Sequence, residues 1–210
     1  MLEPSGLYYP NRFAYYFFVA MHDVLGVSAL KDILELAGLM TFLNGGPPDN
    51  LERQFDFAYM AAINHALQTV YGARGGRGVA LRIGRSWFDS GMHHFGALAA
   101  MNSAPVLALP LERRTYLGLS TLAALFNHYS DQQTRLTVRD GAYHFQVANS
   151  PLAWQQRSDK PVCHALAGLV QGTLHWSSGG YEYHVHEQSC RAAGAAACVF
   201  VANQKPIGQR

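Results

Sequence analysis

The spacing of apolar residues changes about two thirds of the way along the chain. Up to residue 131, apolar positions recur at helical spacing or cover a segment nearly all round, as in NRFAYYFFVAMHDVLG. This pattern predicts five helices, in residues 11–26, 28–38, 51–72, 79–101 and 111–131. Asp49 and Glu52 resemble a capping box before the third helix, and Gly72 is predicted to end it.

The last third of the chain favours strands. TRLTVRD and AYHFQVAN alternate apolar and polar residues around Asp140-Gly141, a pair typical of tight hairpins. A helix is predicted from Pro161 to Gly179-Gly180, followed by strands in YEYHVHEQS and ACVFVAN. The predicted class is α+β, with an antiparallel ββαββ sheet covered by helices. We expect one domain over residues 1–210, helical in 1–131 and carrying the ββαββ part in 132–207.

Composition and charge narrow the partners. The chain has 210 residues, of which 49% are hydrophobic and 12% aromatic, enough for a sizeable core. A net charge of +2 with 14% charged residues gives no broad electrostatic footprint for nucleic acid or an anionic membrane. No run reaches the ~18–20 apolar residues of a membrane span, and no secretory leader pattern is present, so we expect a cytoplasmic protein with a small or apolar partner.

One carboxylate falls on the apolar face of a predicted strand. In YEYHVHEQS the two-residue period places Tyr183, Val185 and Glu187 on the same side. If this side meets the core, Glu187 is drawn into a medium of low dielectric constant, where an ion without a partner is strongly disfavoured. The pattern therefore predicts a cation beside Glu187.

The three cysteines supply candidate ligands for that cation. Cys190 lies three residues after Glu187, Cys198 lies across a turn, and Cys163 starts the preceding helix, whose dipole favours a thiolate. Three thiolates and one carboxylate form a closed four-coordinate set for a structural Zn²⁺. Since C-x7-C is wider than the C-x2-4-C of common zinc modules, buried thiols without metal remain an alternative. So does substitution of a ligand by His164, His184 or His186.

Residues 158–207 resemble the C-terminal half of the 4-vinyl reductase (4VR) domain family. That family has a cysteine opening a helix and then E-x2-C-x7-C-x-F across the final hairpin. The matching positions here are Cys163, Glu187, Cys190, Cys198 and Phe200. Gly194-Ala195-Ala196 stands where the family often has Gly-Asp-Pro, which changes the turn but none of the ligands.

The resemblance, nearest to the stand-alone hydrocarbon-binding members, carries several implications. It implies a fold shared with subunits of the TRAPP vesicle-tethering particle, frequent dimerisation, and an apolar cavity between helices and sheet. In the phenol-sensing transcription activators, such a domain binds an aromatic effector and holds zinc through three cysteines and one glutamate. We therefore expect a homodimer with a structural Zn²⁺ that binds or senses a small apolar or aromatic molecule without catalysis.

Two other functions remain open at this level. The family label points to a 4-vinyl reductase-type enzyme or accessory protein in (bacterio)chlorophyll or tetrapyrrole metabolism. The relation to tethering subunits points to an interaction scaffold. The sequence shows no source of hydride, and GARGGRG lacks the G-x-G-x-x-G spacing of a dinucleotide site, which disfavours an independent reductase.

Aromatic and basic side chains are the remaining candidates. Ligand pockets are lined mainly by apolar and aromatic groups, and most aromatic residues here belong to the core. The predicted pocket residues are Trp87, Phe88, Tyr129, Phe145 and Trp154. The basic cluster Arg74, Arg77, Arg82 and Arg85 can meet an acidic head group, although a solvated helix face is the favoured interpretation.

Overall fold

The computed structural model describes residues 3–209 and confirms the α+β class. The helices are α1 (Asn11–Leu36), α2 (Phe57–Ser90), α3 (Ala104–Leu107), α4 (Leu111–Tyr129) and α5 (His164–Ser178). The strands are β1 (Tyr8–Pro10), β2 (Arg53–Asp56), β3 (Thr134–Arg139), β4 (Ala142–Val147), β5 (Tyr181–Glu182), β6 (Val185–Ser189), β7 (Cys198–Asn203) and β8 (Gly208–Gln209). Short 3-10 turns join several of these elements.

The two longest helices each consist of two parts. Gly26 in α1 and Gly72 in α2 have positive φ values of 75° and 69°, which side chains with a Cβ rarely adopt. The predicted break at Gly72 is confirmed. The turn there is sharp, because a Cβ on Gly76 would lie 3.1 Å from the carbonyl oxygen of Leu67. GARGGRG is therefore no loop beyond Gly72, since helix resumes at once.

Three predicted helix boundaries are wrong. The proposed capping box at Asp49 does not open α2, because residues 53–56 are extended against β1. Asp56 caps the helix instead, its carboxylate accepting a hydrogen bond of 2.7 Å from the Ala58 N–H. The fourth helix stops at Ser90 because Gly91 lies under the ring of Tyr16. The helix predicted from Pro161 begins at His164.

The main sheet is antiparallel, with strand order β3-β4-β7-β6. The predicted hairpin is confirmed, with Asp140 and Gly141 both at positive φ as its two turn residues. The predicted strand at 181–189 is split, because its first two residues pair with β8 and only β6 joins the main sheet. Tyr183, Val185 and Glu187 are buried as the two-residue period requires.

The core is one continuous cluster of buried side chains running from α1 to β7. Its centre is aromatic: Tyr9 stacks on Phe126 with ring centroids 5.8 Å apart, and Phe13 meets Phe126 edge-on. The hydroxyl of Tyr9 donates a hydrogen bond to Gln132, which is also buried. These side chains occupy the space between the helices and the sheet.

By length and composition alone, α1 is apolar enough to cross a membrane. A core helix of a globular protein passes the same test, and Phe13, Phe17 and Met21 of α1 are buried in the core. Length and composition therefore do not establish a span.

The crossing of α2 and α5 depends on two glycines. A Cβ on Gly84 would lie 1.9 Å from the carbonyl oxygen of Ala165, and one on Gly168 would lie 2.2 Å from that of Leu81. Both contacts are with backbone, so neither can be relieved by turning a side chain. The second half of α2 is thus held at backbone contact distance from α5.

We expect Gly84→Ala to lower the free energy of unfolding by about 1–3 kcal/mol, because the added methyl forces the two helices apart. The matched control is Gly78→Ala on the same helix, where a Cβ meets nothing within 4 Å. That change should be neutral or stabilising by up to about 1 kcal/mol, since alanine favours helix. Urea unfolding of both variants measures the difference, and equal stability would contradict the close crossing.

Candidate metal centre

The four predicted ligands come from three elements that meet at one end of the sheet. Cys163 is the residue immediately before α5, and Glu187 points inward from β6. Cys190 follows β6, and Cys198 is the first residue of β7. Because β6 and β7 are antiparallel neighbours, the end of one strand and the start of the next lie side by side.

A tight turn closes this end of the hairpin. The backbone N–H groups of Ala193 and Ala195 both donate to the carbonyl oxygen of Cys190, at 3.0 and 3.1 Å. A register shift between Glu187 and Ser189 marks a bulge in β6 just before the turn. Bulges of this kind redirect side chains next to functional sites. The turn brings the sulfurs of Cys190 and Cys198 to 3.8 Å from each other.

The three sulfurs have the separations of a tetrahedral metal site. Cys163 Sγ lies 3.5 Å from Cys198 Sγ and 3.9 Å from Cys190 Sγ. Sulfurs about 2.3 Å from a common zinc ion, at tetrahedral angles, are about 3.8 Å apart. A disulfide needs about 2.05 Å, and all three cysteines are free. One ligand atom from each of the four residues lies within 4.8 Å of the others, so the cluster can hold a metal ion.

Glu187 offers the fourth ligand. One carboxylate oxygen, Oε2, accepts a hydrogen bond of 2.7 Å from the backbone N–H of Cys163. The other, Oε1, is buried and has no hydrogen-bond partner among the described residues. A buried oxygen of this kind is strongly disfavoured unless something binds it. The donor set therefore fits a divalent ion that takes three sulfurs and this oxygen.

Without a cation the cluster cannot carry four negative charges. Burial, and then the charge of Cys190, raise the pKa of Glu187 to about 8. Burial also raises the pKa of Cys163 well above its ordinary value. Hydrogen bonds from Cys163 and Cys198 stabilise the Cys190 thiolate and lower the pKa of that residue. In the metal-free cluster, one negative charge is shared and the remaining groups hold protons.

For Cys198, opposing hydrogen bonds decide the protonation. The hydrogen bond with Cys163 lowers its pKa, but the one it donates to Cys190, together with burial, raises the pKa further. The net shift is upward, so the Cys198 thiol keeps its proton at neutral pH in the absence of metal.

Two further groups contact the sulfurs. The hydroxyl of Ser150 lies 3.3 Å from Cys163 Sγ, and the backbone N–H of Arg191 donates to Cys198 Sγ at 3.4 Å. Donors in this position stabilise thiolate charge and fix the ligands. Ser150 lies in a loop before α5, and no pattern in the sequence indicated it.

The histidines considered as substitute ligands lie elsewhere. His184 and His186 are exposed on the outer face of β6, with ring centroids 5.6 Å apart. His164 is half-buried in the first turn of α5 and is not part of the four-residue cluster.

The structure does not bring the five predicted pocket residues together. Trp87, Phe88 and Phe145 are fully buried in the core, and the indole N–H of Trp87 donates to the Phe13 carbonyl. Tyr129 is half-buried beside Phe13. Trp154 alone of the five lines one of the larger clefts of residues 3–209, a groove of about 390 Å³ between the end of α1, the start of α2 and residues 153–157.

Comparison with protein families identifies the part of the chain that holds the cluster. Residues 143–204 match the model of the 4-vinyl reductase (4VR) domain and include all four candidate ligands. This segment is a 4-vinyl reductase domain. The match confirms the family resemblance seen in the sequence, whereas the relation to TRAPP subunits stays a prediction. No curated protein matches the chain significantly.

Solved structures of H-NOX proteins share the wider fold. An NMR structure of the H-NOX domain SO2144 from Shewanella oneidensis, in the Fe(II)CO ligation state, aligns with TM-score 0.57 and 12% identity, covering 91% of this chain and 98% of that one. A crystal structure of an H-NOX protein from S. oneidensis in the Fe(II)NO state gives 0.55 and 12%, covering 90% and 98%. An unliganded Fe(II) H-NOX protein from K. algicida gives 0.54 and 12%, covering 90% and 95%. At these identities the likeness concerns the fold alone.

The protonation of the cluster predicts a measurable proton release. At pH 7 the metal-free cluster holds about three protons, on Cys163, Cys198 and Glu187, and all must leave for four anionic ligands to bind metal. Titration of metal-free protein with Zn²⁺, by calorimetry in buffers of different ionisation enthalpy, should report about three protons. Metal affinity should fall steeply as pH drops below about 8, because protons compete for the ligands. Affinity independent of pH between 6 and 8 would contradict this protonation state.

Proposed function

We propose that the chain is a non-catalytic domain that binds or senses a small molecule and contains one structural Zn²⁺. The observation that carries the zinc proposal is the geometry of Cys163, Glu187, Cys190 and Cys198. Their sulfurs have tetrahedral separations, and the free carboxylate oxygen is buried beside them. Cys163, Cys190 and Cys198 supply three soft ligands, and a set of three thiolates with one carboxylate favours zinc over magnesium or calcium.

The metal has a structural role in this proposal. Four protein ligands fill a tetrahedral site, so no position is left for water or substrate. Bound there, the ion would tie the start of α5 to the closing hairpin of β6 and β7. It would also neutralise charges that burial otherwise disfavours. Glu187 and the three cysteines then act as ligands, with no proton to transfer in a reaction.

The small-molecule part of the proposal is supported by the family and the fold. The 4-vinyl reductase domain match covers residues 143–204, and the family includes stand-alone hydrocarbon-binding members. The S. oneidensis H-NOX structures, of similar fold, were determined with CO or NO at Fe(II). We further infer that the chain is one domain and propose that it forms a cytoplasmic homodimer. A small apolar or aromatic ligand remains the proposed class, although Trp87, Phe88 and Phe145 are packed against protein.

The zinc proposal is tested by metal content. Protein purified without added metal should contain one zinc per chain by native mass spectrometry. Cys198→Ser should lose the metal and melt about 10 °C lower or more, because several kcal/mol of binding energy is removed from the folded state. Glu187→Gln, which keeps the size of the side chain, should weaken binding while leaving the three thiols in place.

The matched control is His186→Ala, one residue from Glu187 on the opposite face of β6. That variant should retain its zinc and its melting temperature. If Cys198→Ser does not fold, Co²⁺ replacement in the unaltered protein still decides the question, because tetrahedral thiolate coordination gives intense visible absorption. Unchanged metal content in both Cys198→Ser and Glu187→Gln would refute the ligand set.

A further inference from the structure

A cleft of about 490 Å³ lies next to the metal centre, on the outer side of the Glu187 backbone. It is bounded by the second half of α2, residues 158–162, the start of α5 and β6. Four of the lining residues are apolar: Leu81, Val162, Ala167 and Val185. The volume lies within the range of pockets for small organic molecules, about 300–1,000 Å³.

The polar lining of this cleft is predominantly basic. Arg74, Arg77 and Lys160 contribute three cations, and none of them forms an ion pair within residues 3–209. The carboxylates along the lining are Asp159, which is exposed, and Glu187, whose oxygens are turned to the cysteine cluster. His164 and His186 complete the titratable groups of the lining. An excess of positive charge therefore remains in a concave site.

An unsatisfied donor lies in the same cleft. The side-chain nitrogen Nε2 of Gln68 is buried and has no hydrogen-bond partner among the described residues. A buried N–H without an acceptor is rare in folded proteins and usually indicates that something binds there. Gln68 precedes the turn at Gly72 and Arg77 follows it, so the fold of α2 brings a neutral donor and a cation to one cleft.

We propose that this cleft binds the acid group of a small soluble organic anion, a carboxylate or phosphate carried on an apolar body. Arg74 and Arg77 neutralise the acid group, Gln68 donates a hydrogen bond to it, and Leu81, Val162 and Val185 contact the apolar body. This names the ligand class for the proposed small-molecule function and rests on that function, but it does not require the metal to be zinc.

The test uses three probes that share one aromatic ring: benzoate, phenyl phosphate and the neutral benzamide. Calorimetric titrations of the full chain are made at constant ionic strength, so that general screening is equal in all of them. We expect saturable binding of at least one anion with Kd on the order of 1 mM or tighter, and none of benzamide. Arg77→Gln should weaken anion binding by about tenfold.

The matched control is Arg82→Gln, an exposed arginine of the same helix that lies outside the cleft. This change removes the same charge and should leave affinity unchanged. Gln68→Leu should weaken binding without altering net charge, which separates a built site from general attraction. Equal effects of Arg77→Gln and Arg82→Gln, or equal binding of benzamide, would overturn the proposal.

Two further outcomes also count against the anion site. Absence of saturable binding by both anions, in protein that has its full metal content, overturns this inference and leaves the zinc proposal intact. Binding only to vesicles containing phosphatidylglycerol, with no response to the soluble anions, overturns the assignment to a soluble ligand. Loss of metal in Cys198→Ser, by contrast, tests only the metal centre.

Discussion

Four acidic groups are buried together where α5 meets the β6–β7 hairpin, and this concentration of potential negative charge constrains the rest of the site. Cys163, Glu187, Cys190 and Cys198 lie within 4.8 Å of one another through one ligand atom each. Burial disfavours ionisation of each group, and each ionised group disfavours its neighbours. The cluster is therefore either largely protonated or bound to a cation. Only the second state uses the free oxygen of Glu187.

The metal centre also positions three walls of the neighbouring cleft. Val162 and Cys163 are adjacent in the chain, and Val185 and Glu187 share one face of β6, so fixing the ligands fixes the lining residues beside them. The fourth wall is the second half of α2, which Gly84 holds in backbone contact with α5. A cleft with rigid walls loses little entropy when a ligand binds, which favours affinity. The metal and the helix crossing thus contribute to the same surface.

Local chemistry made much of this site predictable from sequence. The period of two in β6 placed Glu187 inward, and Asp140-Gly141 fixed the first hairpin, because both signals act over a few residues. Features that depend on distant contacts were missed. The end of α2 at Gly91 depends on the ring of Tyr16, and the strand at 53–56 depends on pairing with residues 8–10. No pattern within either segment carries that information.

The basic cluster illustrates the same limit. On sequence alone, Arg74, Arg77, Arg82 and Arg85 are equivalent residues of one helix, and a solvated face is the simplest interpretation. The fold separates them: Arg74 and Arg77 line the cleft beside the metal centre, Arg85 donates to Gln171, and Arg82 is exposed. The difference arises because the sharp turn at Gly72 brings Gln68 and Arg77 to one concave surface. A charge becomes part of a binding site when neighbouring groups exclude water around it and no protein carboxylate neutralises it, and both conditions are properties of the tertiary structure.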